Sequence, residues 1–206
     1  MQAFIIVDVQ NDFCPGGALP VPEGDRIVPL VNRLQGAFDL VVATQDWHPP
    51  THASFAVNHR RSPGEVIRLG GMEQVLWPTH CVQGTPGAAF VPSLETARID
   101  RVFRKGTDPA IDSYSGFFDN GHQKATGLGD YLKAKGVDEV YIAGLATDYC
   151  VKFTALDAAG LGFRTNLIAD ACRGVNLNPG DVERALEEMR RAGVRIVTGT
   201  EPFQSK

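Results

Sequence analysis

Cys150 is the residue whose surroundings most suggest chemistry. It lies in the stretch 140–152, Val-Tyr-Ile-Ala-Gly-Leu-Ala-Thr-Asp-Tyr-Cys-Val-Lys. The stretch begins as a β-branched, apolar run of strand length, turns at Gly144 and enters a helical pattern. Thr147 is placed to cap that helix, and Asp148 falls in its first turn, at the positive end of the dipole. Phe153, Leu156, Ala158 and Ala159 continue at helical spacing, and Gly160 can stop the helix. A thiol at a helix start ionises more easily than a free one, and the thiolate is the nucleophile. Strand, tight turn, nucleophile and helix make the elbow used by several hydrolytic folds. The other reading of Cys150 is a small buried hydrophobe. This stretch alone does not choose between them.

A cysteine nucleophile needs a group to take and return a proton, and donors for the developing oxyanion. Asp8 interrupts the apolar run 3–9 near its end. An acid there, away from water, has a raised pKa and can exchange protons near neutrality. Lys105 closes the short run 102–105 and would balance the charge. Backbone N–H groups of the turn 146–150 are the oxyanion donors to expect. The competing reading is a structural Asp8–Lys105 ion pair that closes the sheet edge.

A second constellation is Asp46-Trp47-His48, with His80 downstream. Residues two apart in an extended segment share a face, so Asp46 and His48 can turn toward one ion. His80 as a third ligand would leave positions open for water or substrate. One carboxylate and two imidazoles suit Zn²⁺, Fe²⁺ or Mn²⁺ alike. His52 is a candidate fourth ligand. His48 and His52 can also be read as ordinary loop histidines. His59 and His122 lack companions at ligand spacing and read as surface residues. Phe13, Trp77 and Tyr114 stand in loops, where aromatics can wall a flat pocket or pack locally.

These residues need a frame. Buried strands are expected at 3–9, 40–44, 102–105, 140–143, 164–169 and 194–197, and helices after Asp25, over 126–135, after Thr147 and after Asn178. Leu128 and Leu132 should point inward, as should Val182, Leu186 and Met189. Pro179 suits the first position of the last helix. Strands alternating with helices imply a parallel sheet covered on both faces, with ligands outside the carboxyl ends of the strands. Asp8, Asp46, Lys105 and the 144–150 turn all fall at such ends. The segment at about 47–99 has little periodic pattern, and a long irregular stretch in a compact domain is usually functional.

The chain has 206 residues and no internal repeat or linker, so one domain over 1–206 is expected. Its 43% hydrophobic and 21% charged content is that of an ordinary globular chain. A net charge of −4 gives no reason to expect nucleic acid or an anionic membrane as partner. No apolar run approaches the roughly 20 residues that span a bilayer. Nothing at the start reads as a signal peptide, and Cys14, Cys81, Cys150 and Cys172 lack Cys-x-x-Cys spacing. Reduced thiols in a cytoplasmic protein are expected, with Cys14, Cys81 and Cys172 structural.

Five blocks in order, Ile6-Val7-Asp8-Val9-Gln10-Asn11-Asp12-Phe13, Asp46-Trp47-His48, Trp77-Pro78-Thr79-His80-Cys81, Lys105-Gly106 and Gly144-Leu145-Ala146-Thr147-Asp148-Tyr149-Cys150-Val151, resemble the nicotinamidases of the isochorismatase-like hydrolases. The resemblance runs through nearly the whole chain. It implies a three-layer α-β-α sandwich with a six-stranded parallel sheet, a triad of Asp8, Lys105 and Cys150, and one divalent metal held by Asp46, His48 and His80. It further implies a ring seated between Phe13 and Trp77, with Leu19, Tyr114, Leu145 and Ala146 completing the pocket. A cis Leu145–Ala146 peptide would help aim the N–H groups of Ala146 and Cys150 at the oxyanion. Some members add a metal-ligating histidine beyond the Asp-x-His pair, but His52 is spaced differently. The implied substrate is nicotinamide, hydrolysed to nicotinic acid and ammonia, with pyrazinamide as a second amide. Whether the chain acts as a monomer or a homo-oligomer stays open. Cys150 argues against the isochorismate-cleaving branch, which lacks it. A related amidohydrolase of carbamoyl or ureido substrates, and a non-catalytic binding protein on the same fold, are the rival readings.

Overall fold

The structure, a computed structural model, describes residues 1–200. The apolar run at the N-terminus is β1 (Gln2–Val7), and Ala3 through Val7 have no solvent exposure. A strand shielded on both faces needs no alternation, which is why the run reads as continuous. β2 (Leu40–Asp46) is likewise buried along its whole length. β5 (Arg101–Lys105), β6 (Glu139–Leu145), β7 (Arg164–Arg173) and β8 (Arg195–Val197) complete a six-stranded sheet in the order β5-β2-β1-β6-β7-β8. Every pairing in it is parallel.

The helices are α1 (Val28–Gln35), α2 (Leu128–Ala134), α3 (Lys152–Gly160) and α4 (Asp181–Arg191). From β1 the chain steps to β2 and β5 on one side, then returns to build β6, β7 and β8 on the other. Right-handed crossovers in opposite directions put α1 on one face and α3 and α4 on the other, giving the three-layer sandwich. α3 and α4 pack side by side. The reversal opens a crevice at the carboxyl ends of β1 and β6. Leu128 and Leu132 are fully buried under α2, as expected.

Four local expectations are corrected. The stretch 47–99 contains an antiparallel hairpin, β3 (Val66–Leu69) and β4 (Met72–Val75), joined through Gly70 and Gly71. Both glycines have positive φ, the conformation a two-residue hairpin turn requires. Thr147 caps nothing: the chain leaves β6 through a π-helical turn (Thr147–Val151) that precedes α3, and Ala146 is the flanking residue. Pro179 lies before the first turn of α4, whose flanking residue is Gly180. On α4 it is Ala185 and Met189 that are buried, with Leu186 packed at their edge and Val182 only half-buried.

Candidate active site

Asp8 follows β1 directly, with φ of 49°. Asp tolerates the left-handed region better than most residues, and such backbone clusters at functional sites. Asp46 and Lys105 end β2 and β5 in register with one another. Cys150 sits in the π-helical turn after β6. The strand order therefore lays four chemically active side chains along four adjacent strand ends.

The Lys105 ammonium is their meeting point. It lies 2.8 Å from Asp8 Oδ2 and 2.5 Å from Asp46 Oδ1. It also donates to the Ser113 carbonyl at 2.9 Å and approaches Cys150 Sγ at 3.3 Å. All three triad candidates are buried. Burial pushes the Asp8 carboxyl above its ordinary value, which Lys105 offsets only in part and Asp46 reinforces. Burial opposes the charge on Lys105, yet Asp46 and Asp8 hold its pKa well above the usual amine range. The Cys150 thiol also goes up, because burial outweighs the pull of Lys105. Burial thus works against the helix-start argument for an acidic thiol. The resting sulfur keeps its proton, and reaction needs a base beside it. An Asp8 carboxylate oxygen and the Cys150 sulfur lie within 4.8 Å of one another.

The two histidine loops are laced together. His48 N–H donates to the Cys81 carbonyl at 3.0 Å, and Gln83 N–H to the His48 carbonyl at 2.9 Å. Asp12 holds the far loop through Cys81 N–H at 2.7 Å. His48 Nδ1 faces the Gly106 carbonyl at 2.9 Å, and His80 Nδ1 faces the Pro78 carbonyl at 2.7 Å. A carbonyl only accepts, so each Nδ1 carries a proton, and each Nε2 presents a lone pair where the ring is neutral. Against the pull of burial, Asp46 raises His48, so a cation at its Nε2 would take the place of a proton. Both lone pairs face Asp46 Oδ2, at 3.3 and 3.8 Å. His48 Nε2 is fully buried with no hydrogen-bond donor beside it. Three electron-rich atoms converging without a donor between them fit a cation. Asp46, His48 and His80 form one ligand-spaced group, all buried. Burial works to raise Asp46, but Lys105 first, and the imidazoles when protonated, hold it well below the carboxylate range. His80 is pushed down to about 4 by burial and the neighbouring His48, so its ring is neutral, as a ligand must be.

His52 stands differently. It stacks on His48, ring centroids 4.2 Å apart, and groups with His48 and Asp112 rather than with Asp46 and His80. Ser54 N–H donates to His52 Nδ1 at 3.3 Å. Burial and His48 push its pKa down to about 4. Its Nδ1 also lies 2.7 Å from Ser54 Oγ, and its Nε2 is buried without a hydrogen-bond partner. His52 packs against His48, outside the Asp46–His48–His80 group. Gly106 also packs against His48: a Cβ there would lie 2.3 Å from His48 Cε1.

A pocket of about 370 Å³, counting its open mouth, joins the two constellations. Phe13, Leu19, Trp77, Tyr114 and Ala146 line it beside Asp46, His80 and Cys150. Leu145 does not line it; its side chain is fully buried in the core, close to Gly24. Asp112, Tyr149 and Val175 line the pocket unforeseen. The Tyr149 ring meets Trp77 edge-on, centroids 4.9 Å apart, and Trp77 Nε1 donates to the Tyr114 hydroxyl at 3.1 Å. The Leu145–Ala146 peptide is cis. His122 is exposed, whereas His59 is half-buried and bonded to the Ala53 carbonyl at 2.7 Å. All four cysteines are free thiols and buried.

Gln10 is a further contributor hidden in the first motif. Its amide pairs with the Asp46 backbone like a peptide, Asp46 N–H to Oε1 and Nε2 to Asp46 O, both at 2.8 Å. Gln10→Ala leaves a buried N–H and C=O without partners. We expect a loss of about 1–3 kcal/mol per orphaned group in urea unfolding. An unchanged midpoint would show that water replaces the amide.

Comparison with known proteins places this architecture. Residues 2–201 match the family model described as the Isochorismatase domain. A nicotinamidase of Escherichia coli is 50% identical over 201 residues, covering 96% of this chain and 94% of that protein. Among solved structures, a nicotinamidase/pyrazinamidase of Acinetobacter baumanii superposes with a TM-score of 0.95 at 49% identity, covering 97% of each chain. A pyrazinamidase of Pyrococcus horikoshii, solved in complex with zinc, gives 0.77 at 45% identity over 96% of this chain and 98% of that one.

Proposed function

We propose, from the premise that this chain belongs to the isochorismatase family, that it is an amidohydrolase converting nicotinamide and water to nicotinic acid and ammonia, and that it also deamidates pyrazinamide. The observation that carries this reading is a thiol, an acid and a lysine held together beside a buried three-ligand group, with one aromatic pocket opening on both.

The thiol proton passes from Cys150 to Asp8 as sulfur attacks the carboxamide carbon. Lys105 balances the negative charge that remains on the pair. Backbone N–H groups of Ala146 and Cys150 receive the oxyanion. Asp8 then hands its proton to the departing ammonia, leaving a thioester on Cys150. The same carboxylate activates water to cleave the thioester, releasing nicotinic acid and restoring the thiol. Phe13 and Trp77 bracket the ring. Asp46, His48 and His80 would hold one divalent ion, Zn²⁺ or Fe²⁺ with Mn²⁺ as a further choice, which when bound offers an open position to the pyridine nitrogen. The zinc-bound pyrazinamidase relative favours Zn²⁺. The buried free thiols suit a reducing, cytoplasmic setting.

The reading is tested by comparing nicotinamide with benzamide, which has the same shape without the ring nitrogen. Benzamide is expected to be a poor substrate even with the metal loaded. His80→Ala should lower bound metal and raise KM together, the affinity loss exceeding the roughly 10–100-fold typical of residues behind the ligands. His52→Ala should disturb metal content far less. Chelation should weaken nicotinamide binding more than it slows alkylation of Cys150. Equal hydrolysis of the two amides, or full activity in metal-free protein, would remove the ion from substrate recognition.

A further inference from the structure

Asp8 has two carboxylate oxygens, and the chemistry uses one. Oδ2 faces Lys105. Oδ1 accepts a hydrogen bond from Thr44 Oγ1 at 2.7 Å, with both residues fully buried. Left alone, a carboxylate turns easily about its last bond, a broad and nearly two-fold torsion. The hydroxyl on one oxygen holds the other in line with the lysine and the sulfur.

Thr44 is itself held. Gly116 packs so closely on its methyl that an added Cβ would lie 2.6 Å from Thr44 Cγ2. Gly116 is pinned on both sides: its N–H donates to Thr154 Oγ1 at 2.9 Å, and its carbonyl accepts from Thr126 Oγ1 at 2.6 Å. A β-branched residue has few χ1 choices. With the methyl against a fixed backbone, the hydroxyl can point only toward Asp8. Thr44 lines none of the pocket.

We propose that Thr44 is a positioning residue for the reaction, acting through Asp8, with Gly116 as the backstop that sets its rotamer. The inference rests on Asp8 being the proton carrier of the proposed function. It predicts a separation of kinetic constants: substrate binding is untouched, so KM holds while kcat falls.

Thr44→Val keeps the shape and the packing but removes the donor. We expect kcat to fall about 10–100-fold, the range for losing a hydrogen bond to a charged group, with KM unchanged. Thr44→Ser keeps the donor and drops the methyl, and should retain the larger part of kcat. Alkylation of Cys150 by iodoacetamide should slow in the valine variant alongside kcat. A purely structural role gives another pattern: both variants lose melting temperature and neither shows a selective fall in kcat. Wild-type kcat in Thr44→Val, or a serine variant as impaired as the valine one, overturns the proposal.

Should Thr44→Val fail to fold, Gly116→Ala tests the same device from the other side. It drives a Cβ into the Thr44 methyl and should lower kcat. Combining it with Thr44→Ser removes the clashing methyl and should restore activity. A double variant no better than Gly116→Ala alone refutes the backstop. If the wild-type protein releases no ammonia from nicotinamide, the proposed function fails on its own. The alkylation rates still decide whether Thr44 tunes Cys150 through Asp8.

Discussion

Cys150→Ala is expected to stop ammonia release from nicotinamide, by about 10⁵-fold or more, because no other group can form the covalent intermediate. The fold should survive. The sulfur is small, and Lys105 keeps its contacts with Asp8, Asp46 and the Ser113 carbonyl. Metal content should hold as well, since Asp46, His48 and His80 form their group without sulfur. In the wild-type protein one equivalent of a thiol alkylator should inactivate, with nicotinamide protecting. Protection matters because four buried thiols compete for the reagent, and among them only Cys150 lines the pocket. An alanine variant that still turns over nicotinamide at a comparable rate refutes the assignment.

Asp8→Asn is the second large effect. It preserves shape and removes the proton carrier, so turnover should drop at least about a hundredfold, the lower end of general acid–base contributions. The geometry predicts little cost in stability. Lys105 remains paired with Asp46 at 2.5 Å, so its charge is not orphaned. The new amide can turn its oxygen toward Lys105 and its nitrogen toward Thr44, whose hydroxyl can accept as well as donate. Were the pair only a structural clasp, the pattern would invert: near-normal turnover and a large fall in melting temperature. Paired measurements of kcat and thermal midpoint on one preparation separate the two.

The sequence exposed the site better than its surroundings, for physical reasons. Charged or thiol residues interrupting apolar strand runs are conspicuous, and strand ends are where such sheets bind ligands. Asp8, Asp46, Lys105 and Cys150 were therefore visible as candidates. Their gathering at one sheet edge follows from the same pattern; the strand order β5-β2-β1-β6 that makes the four ends neighbours does not, because crossovers leave no periodic trace. The β3–β4 hairpin went unseen because each strand is four residues long and partly exposed. Its Gly70-Gly71 pair was the available signal. Thr147 looked like a cap because it precedes a helical pattern, but the π-helical turn moves the boundary, and the Asp148 carboxylate instead accepts from Val175 and Asn176 N–H at 2.9 and 2.7 Å. That contact also brings Val175 to the pocket, a long-range effect no local pattern carries. Desolvation raises the Cys150 thiol although a helix start favours its thiolate, because proximity to a helix is a local feature whereas desolvation belongs to the whole fold.

Asp46 faces two ways. One oxygen meets Lys105 and the other meets the lone pairs of His48 and His80. Its place is set by a single register, Asp46 opposite Lys105 across β2 and β5. For anyone redesigning this pocket, the three proposed ligands are consequently unequal parts. The imidazoles meet only the far oxygen: exchanging them for other donors would retune which ion is held while Lys105 keeps its pairing with Asp46 Oδ1. The carboxylate is a shared wall between two rooms. A metal-free version of the enzyme would have to keep an acid at that position, or supply Lys105 with another counter-charge from the same strand end.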